Sequence, residues 1–153
     1  MVKTFAVSDN QWHSTDIRIR YKDTDRMGVV YYGNYLTFFE VARAEYMRSL
    51  GFAYSELEGK GYTLAVTDAS AKYHGNVGYD ALITVRTRIS KLTRVQVRFE
   101  YQVVDVDDRL IVSGETGHAC INEKMKACRL PEELLASFQE VMHGLSKSAS
   151  VPL

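Results

Sequence analysis

Between two polar ends, the order of apolar and polar residues marks out the elements of this chain. Residues 1 to about 14 are polar and patternless, and the stretch GLSKSASVPL from Gly144 reads as a frayed tail. Ile17 to Tyr21 alternates Ile-Arg-Ile-Arg-Tyr, which predicts a short half-buried strand. A turn-like segment, KDTDRMG, follows and closes at Gly28. The period then changes. In VVYYGNYLTFFEVARAEYMRSLG, Tyr35, Phe38, Phe39, Ala42, Tyr46 and Leu50 recur at helical spacing, and Leu36 and Met47 broaden the stripe. Gly33 or Asn34 suits the start of this helix and Gly51 its stop. The apolar face covers about half the circumference, more than a surface helix shows, so the helix is expected to be wrapped. Thr37, Glu40, Glu45 and Arg48 fall mainly on the other face, with Arg43 near the apolar edge.

A short helix is expected around Tyr54 to Gly59, and strand patterns follow at Thr63–Tyr73, Ala81–Lys91, Val95–Val103 and Leu110–Ile121. HGNVGYD and DVDDR supply turns between them. Pro131 then opens a C-terminal helix, PEELLASFQEVMHG. One strand, one long apolar helix and four further strands predict an α+β fold with an antiparallel sheet. A single sheet curling around one helix satisfies the broad stripe, and that shape is the hotdog fold. At 153 residues the chain is expected to form one such domain, with its core at about residues 16 to 140.

Composition narrows the partners. Nineteen basic and nineteen acidic residues cancel, so no overall field favours nucleic acid, and no polybasic run suggests a membrane surface. Neither a signal-peptide core nor a bilayer-length apolar segment occurs, and a cytoplasmic protein is expected. The two cysteines, Cys120 and Cys128, lie outside any CxxC pattern and read as reduced thiols rather than zinc ligands.

The chemistry concentrates in RIRYKDTDRMGVVYYGNY, from Arg18 to Tyr35. Asp23, Asp25, Gly28, Val29, Val30, Tyr32 and Tyr35 fit the pattern D-x-D-x-x-G-[IV]-V-x-[YHF]-x-x-Y. This segment resembles the active-site signature of the 4-hydroxybenzoyl-CoA thioesterase family. FFEVARAEYMRSLG resembles the central helix of that family, and the resemblance spans roughly residues 16 to 140. It implies hydrolysis of an acyl-CoA or aryl-CoA thioester to free acid and coenzyme A, by a homodimer or homotetramer, with no metal or organic cofactor. It also implies that Asp25 is the catalytic carboxylate, acting as nucleophile or as general base on water. As isolated residues, Asp23 and Asp25 equally suit a turn or a cap.

A thioester is already activated, so a carboxylate needs help mainly in stabilising the oxyanion. The Asp25 loop leads into a helix N-terminus, where unpaired N–H groups favour negative charge. The amides of Tyr32, Gly33 and Asn34 are the candidates, with Tyr31 and Tyr32 at the pocket. Tyr32 stands where some members carry histidine, which makes a histidine-assisted mechanism doubtful. Glu40 is the competing carboxylate, because a second hotdog thioesterase class carries its glutamate on the central helix. A surface pair between Glu40 and Arg43 is the plainer alternative. His74, in the turn YHGNVGYD, is a candidate substrate contact or an exposed turn residue. Arg88 and Arg94, with Arg86 and Lys91, are candidates for the phosphates of coenzyme A, and Lys124, Lys126 and Arg129 are the alternative. A hotdog dehydratase would need a catalytic His with a Glu or Asp, and the signature loop offers none. The alternatives left are a thioesterase acting on acyl carrier protein and a non-catalytic acyl-CoA binder.

Overall fold

The computed structural model describes residues 12–143; the expectations for residues 1–11 and for the stretch from Gly144 lie outside the described residues. In chain order the elements are β1 (His13–Arg18), a 3-10 turn (Tyr21–Asp23), α1 (Asn34–Ser49), α2 (Tyr54–Gly59), β2 (Thr63–Tyr73), β3 (Leu82–Leu92), β4 (Gln96–Val104), β5 (Leu110–Ile121) and α3 (Glu132–His143). Five strands form one sheet in the order β1-β3-β4-β5-β2, every neighbouring pair antiparallel. The sheet packs around α1, the expected α+β hotdog arrangement.

The wide apolar stripe of α1 explains that arrangement. Tyr35, Phe38, Phe39, Ala42, Tyr46 and Met47 are all buried, against Val85 of β3, Phe99 and Tyr101 of β4 and Val112 of β5 in one core. The helix lies close to the sheet at Gly114. A Cβ there would stand 2.5 Å from Phe39 Cε2 and 2.5 Å from Ser70 O, so only glycine leaves room for the phenyl ring. Phe39 then stacks flat on Tyr101, with ring centroids 4.3 Å apart at 5°.

The first strand departs from expectation. It runs His13–Arg18 rather than Ile17–Tyr21, and Tyr21–Asp23 forms the 3-10 turn. Its inward positions, His13, Thr15 and Ile17, alternate as a strand requires, but two of the three are polar, so hydropathy hides the pattern. The structure also moves Arg43 from the edge of the stripe into the interior. Arg43 is 7% exposed; its Nε donates to Tyr54 Oη at 2.9 Å and its Nη1 to Tyr101 Oη at 3.1 Å. These contacts tie α1 to α2 and β4.

Because β2 lies at the far edge beside β5, the chain must cross from that edge to reach β3. The crossing segment, 74–81, runs past the start of α1 and braces the Asp-rich loop. Val30 N–H donates to Val77 O at 3.0 Å, Val29 pairs with Gly78, and Tyr35 Oη donates to Asn76 Oδ1 at 3.0 Å.

Candidate active site

Asp25 sits at the tip of a small hairpin. Thr24 and Val30 pair across its base, and Asp25 N–H donates to Val29 O at 2.8 Å. Met27 N–H donates to Asp25 Oδ1 at 2.8 Å and fixes the carboxylate. Oδ2 has no hydrogen-bond partner among the described residues. The carboxylate opens on a cleft of about 640 Å³ lined by Tyr21, Lys22, Thr24, Arg26, Gly28 and Tyr79. Tyr21 and Tyr79 meet edge to face across it, centroids 5.9 Å apart.

Asp23 performs a different task. It is buried, and its carboxylate accepts Arg20 N–H at 2.8 Å. Its carbonyl accepts both Tyr31 N–H at 2.9 Å and Asn34 Nδ2 at 2.8 Å. One peptide oxygen thus couples the loop bearing Asp25 to the first turn of α1. Asn34 is spent on this anchor. Its backbone N–H also donates, to Tyr31 O at 2.9 Å, so the main-chain amide expected to meet substrate is already engaged. The N–H groups of Tyr32 and Gly33 make no hydrogen bond to another described residue. The helix start therefore presents two amides rather than the three expected.

Tyr31 and Tyr32 stand at the surface, 47% and 61% exposed, with rings 4.8 Å apart. The Tyr31 ring covers Gly33; a Cβ there would meet it at 2.8 Å. Hydrogen bonding with Tyr32 pushes the Tyr31 phenol above its ordinary value. Tyr35 beneath is buried, and burial followed by the charge of Tyr73 pushes its phenol up to about 12, so it acts as a neutral donor to Asn76.

The remaining candidates lie apart. Glu40 is exposed on α1, and the expected pair with Arg43 is absent because Arg43 turns inward to the two phenols. His74 is exposed but tied to β5: its N–H donates to Ile111 O at 2.8 Å and its Nε2 lies 2.9 Å from Ser113 Oγ. Arg88 lies on the outer face of the sheet, hydrogen-bonded to Glu100 and stacked 4.1 Å over Trp12. That cation is already engaged, since cross-strand ladders place Arg88 opposite Glu100. Arg94 stands exposed in the β3–β4 turn, with no ion pair among the described residues. Lys22, Arg26, Tyr21 and Tyr79, which line the cleft, were not singled out from the sequence. The first three flank Asp25 within the signature, so proximity was a usable signal; Tyr79 arrives from a distant turn and gave none. Among the described residues no cluster of three or more His, Cys, Asp or Glu side chains is arranged to hold a metal, and no helix is long and apolar enough to cross a membrane.

The Asp25 hairpin, with one free carboxylate oxygen, thus leads into a helix start with two free amides. Comparison with known proteins identifies the family. Residues 19–138 match the family model described as the thioesterase-like superfamily. The chain belongs to the thioesterase-like superfamily. Among relatives of this thioesterase-family chain, the acyl-CoA thioesterase YbgC of Haemophilus influenzae is 34% identical over 131 residues, 84% of this chain and 95% of that one. A putative acyl-CoA thioesterase, YneP, of Bacillus subtilis is 31% identical over 109 residues, 71% of this chain and 79% of that protein. The crystal structure of a DHNA-CoA thioesterase from Staphylococcus aureus is 33% identical with a TM-score of 0.79, covering 91% of this chain and 93% of its own. The match begins at Ile19, just ahead of the Asp25 hairpin, so the hairpin and α1 fall inside it.

Proposed function

We propose that this chain carries out acyl-CoA thioester hydrolysis through Asp25, with the amides of Tyr32 and Gly33 as the oxyanion donors. One observation carries the reading. The Asp25 carboxylate is held by a single amide, Met27 N–H, which leaves Oδ2 free toward an open cleft. A carboxylate held this way is oriented while staying open to a substrate. It either attacks the thioester carbonyl to give a mixed anhydride, which water then cleaves, or takes a proton from the attacking water. In both routes negative charge develops on the carbonyl oxygen, and amides aimed from a helix start stabilise it. Asp23 keeps loop and helix in register.

The exposed cations Lys22, Arg26 and Arg94 are the groups we assign to the phosphates of coenzyme A. They displace Arg88, which is occupied by Glu100. The exposed tyrosines leave the acyl group open between aryl and aliphatic chains.

The test is thiol release across a panel of acyl-CoAs. Asp25→Asn keeps shape and removes charge, and turnover is expected to fall about a thousand-fold with the fold intact. Glu40→Gln is expected to remain active. Near-normal turnover in Asp25→Asn together with loss in Glu40→Gln would assign the chemistry to the helix glutamate instead.

A further inference from the structure

Cys120 and Cys128 are the only cysteines in the chain, and the fold brings them side by side. β5 ends at Ile121 and turns back through a tight hairpin. Asn122 N–H donates to Lys126 O at 2.9 Å, Ile121 pairs with Ala127, and Cys128 N–H donates to Cys120 O at 2.9 Å. Cross-strand neighbours of this kind have Cα atoms roughly 4.5–5.5 Å apart, inside the range a disulfide spans. The two Sγ atoms stand 3.4 Å apart. We propose that Cys120 and Cys128 form an oxidisable dithiol, closed to an internal disulfide by hydrogen peroxide and reopened by a reducing thiol.

The two sulfurs are unequally placed, which sets the order of events. Cys128 is partly exposed, whereas Cys120 is buried and its thiol is held protonated, pushed up to about 12 by burial and by Cys128. Cys128, the accessible sulfur of the two, is therefore the one that meets the peroxide first. Its sulfur attacks one peroxide oxygen, the O–O bond breaks, and the departing hydroxide takes the Cys128 thiol proton and leaves as water, giving a sulfenic acid. The Cys120 sulfur then attacks the Cys128 sulfur. The S–S bond forms, the S–O bond breaks, and a second water carries away the Cys120 proton. The two sulfurs together lose two electrons and the peroxide gains them.

Closure would fasten a junction of three parts. Cys120 N–H donates to Val95 O at 3.0 Å, and Leu130 N–H donates to Arg94 O at 2.8 Å. The hairpin thus connects the end of β5, the β3–β4 turn and the lead into α3, whose Leu134 and Phe138 close the core. The disulfide would hold α3 against the sheet without touching the Asp25 cleft, so its test is independent of the assignment of Asp25.

Native protein treated with stoichiometric hydrogen peroxide and quenched is expected to lose both free thiols. It should shed two hydrogen masses, yield one linked peptide joining Cys120 to Cys128, and migrate as a single chain on a non-reducing gel. Dithiothreitol should restore both thiols, and the oxidised form should unfold about 5 °C higher. Cys120→Ser is expected to trap Cys128 as a dimedone-reactive sulfenic acid. Cys128→Ser should leave Cys120 unreactive in the folded protein. A sulfenic or sulfinic acid on Cys128 of the unsubstituted chain with no linked peptide, first reaction at Cys120, or a disulfide between chains would each overturn the proposal.

Discussion

His118 lies on the inner face of β5, its Nε2 2.9 Å from Thr116 Oγ1 and its ring edge-on to Phe99 at 5.5 Å. Burial, and then the positive charge of Arg43, hold its pKa down to about 4; Leu64 O and Asp68 oppose this, and Arg98 reinforces it. The folded chain keeps His118 neutral above that pH, while the unfolded chain takes up a proton below about 6.5. Stability from this residue is therefore complete above about 6.5 and is lost progressively as pH falls from 6.5 to 4, by up to about 3 kcal/mol. Urea unfolding of the natural chain and of His118→Gln at stepped pH isolates the effect: the slope in that window should flatten in the variant. Equal slopes would mean that His118 is not its source. A second residue-scale expectation separates Arg88 from Arg94. Exposed phosphate contacts are worth about 1 kcal/mol or less, so Arg94→Ala should raise KM up to about five-fold at unchanged kcat, with the effect shrinking at high salt. Arg88→Ala, which removes a cation already paired with Glu100, should leave KM near its starting value.

At the scale of elements, α1 and β5 meet where Gly114 admits Phe39, and the fit predicts how each responds to change. Gly114→Ala inserts a Cβ 2.5 Å from both the Phe39 ring and the Ser70 carbonyl, so helix or strand must shift, at a cost of about 1–3 kcal/mol. Gly75→Ala is the control, because its Cβ would meet only Ile111 Cδ1 at an ordinary 3.6 Å. Denaturant midpoints for the two variants should separate clearly; equal midpoints would show that the contact at Gly114 is soft. The spacing of Tyr35, Phe38, Phe39, Ala42 and Tyr46 made α1 legible from sequence, because burial of a helix leaves a periodic apolar trace. β1 was misplaced for the converse reason. Its inward His13 rests on the Tyr46 ring, centroids 5.4 Å apart, so a polar residue does core work and erases the alternation. The Asp25 loop was legible because a motif of mixed residue types at fixed spacing is rare by chance. Its surroundings were not: whether Arg88 is free depends on Glu100 across the ladder, and Tyr79 reaches the cleft only through the crossing segment. Arg43, read as an edge residue, is buried because two phenols from other elements supply its acceptors.

At the scale of the whole molecule, the two edges of the sheet differ in a way that predicts association. β1 offers six residues at one edge, whereas β2 offers eleven at the other, and most of β2 is exposed. A long uncovered edge strand is an invitation to pair with another strand, and monomeric proteins shorten, charge or cover such edges. The edge carries the exposed charges Asp68, paired with Arg98, and Lys72, but apolar surface extends it: Val66 and Tyr73 on β2, Tyr31 and Tyr32 at the helix start, and Leu36 and Val41 on α1 are all at least 40% exposed. β2 also reaches the site itself, since Tyr73 Oη donates to Tyr32 O at 3.2 Å and the two rings meet edge to face. A second copy pairing antiparallel along β2 would cover the edge, bury the tyrosines beside the free amides of Tyr32 and Gly33, and create two equivalent sites by symmetry. The expected state is accordingly a dimer whose activity depends on assembly. Light scattering and thiol release followed on the same dilution series should show specific activity falling in step with the dimer fraction. Val66→Lys, which puts a charge on the exposed edge, should move both transitions to higher protein concentration while leaving the fold intact. A stable monomer at low micromolar concentration with full specific activity would refute the dimer and return the catalytic geometry to a single chain.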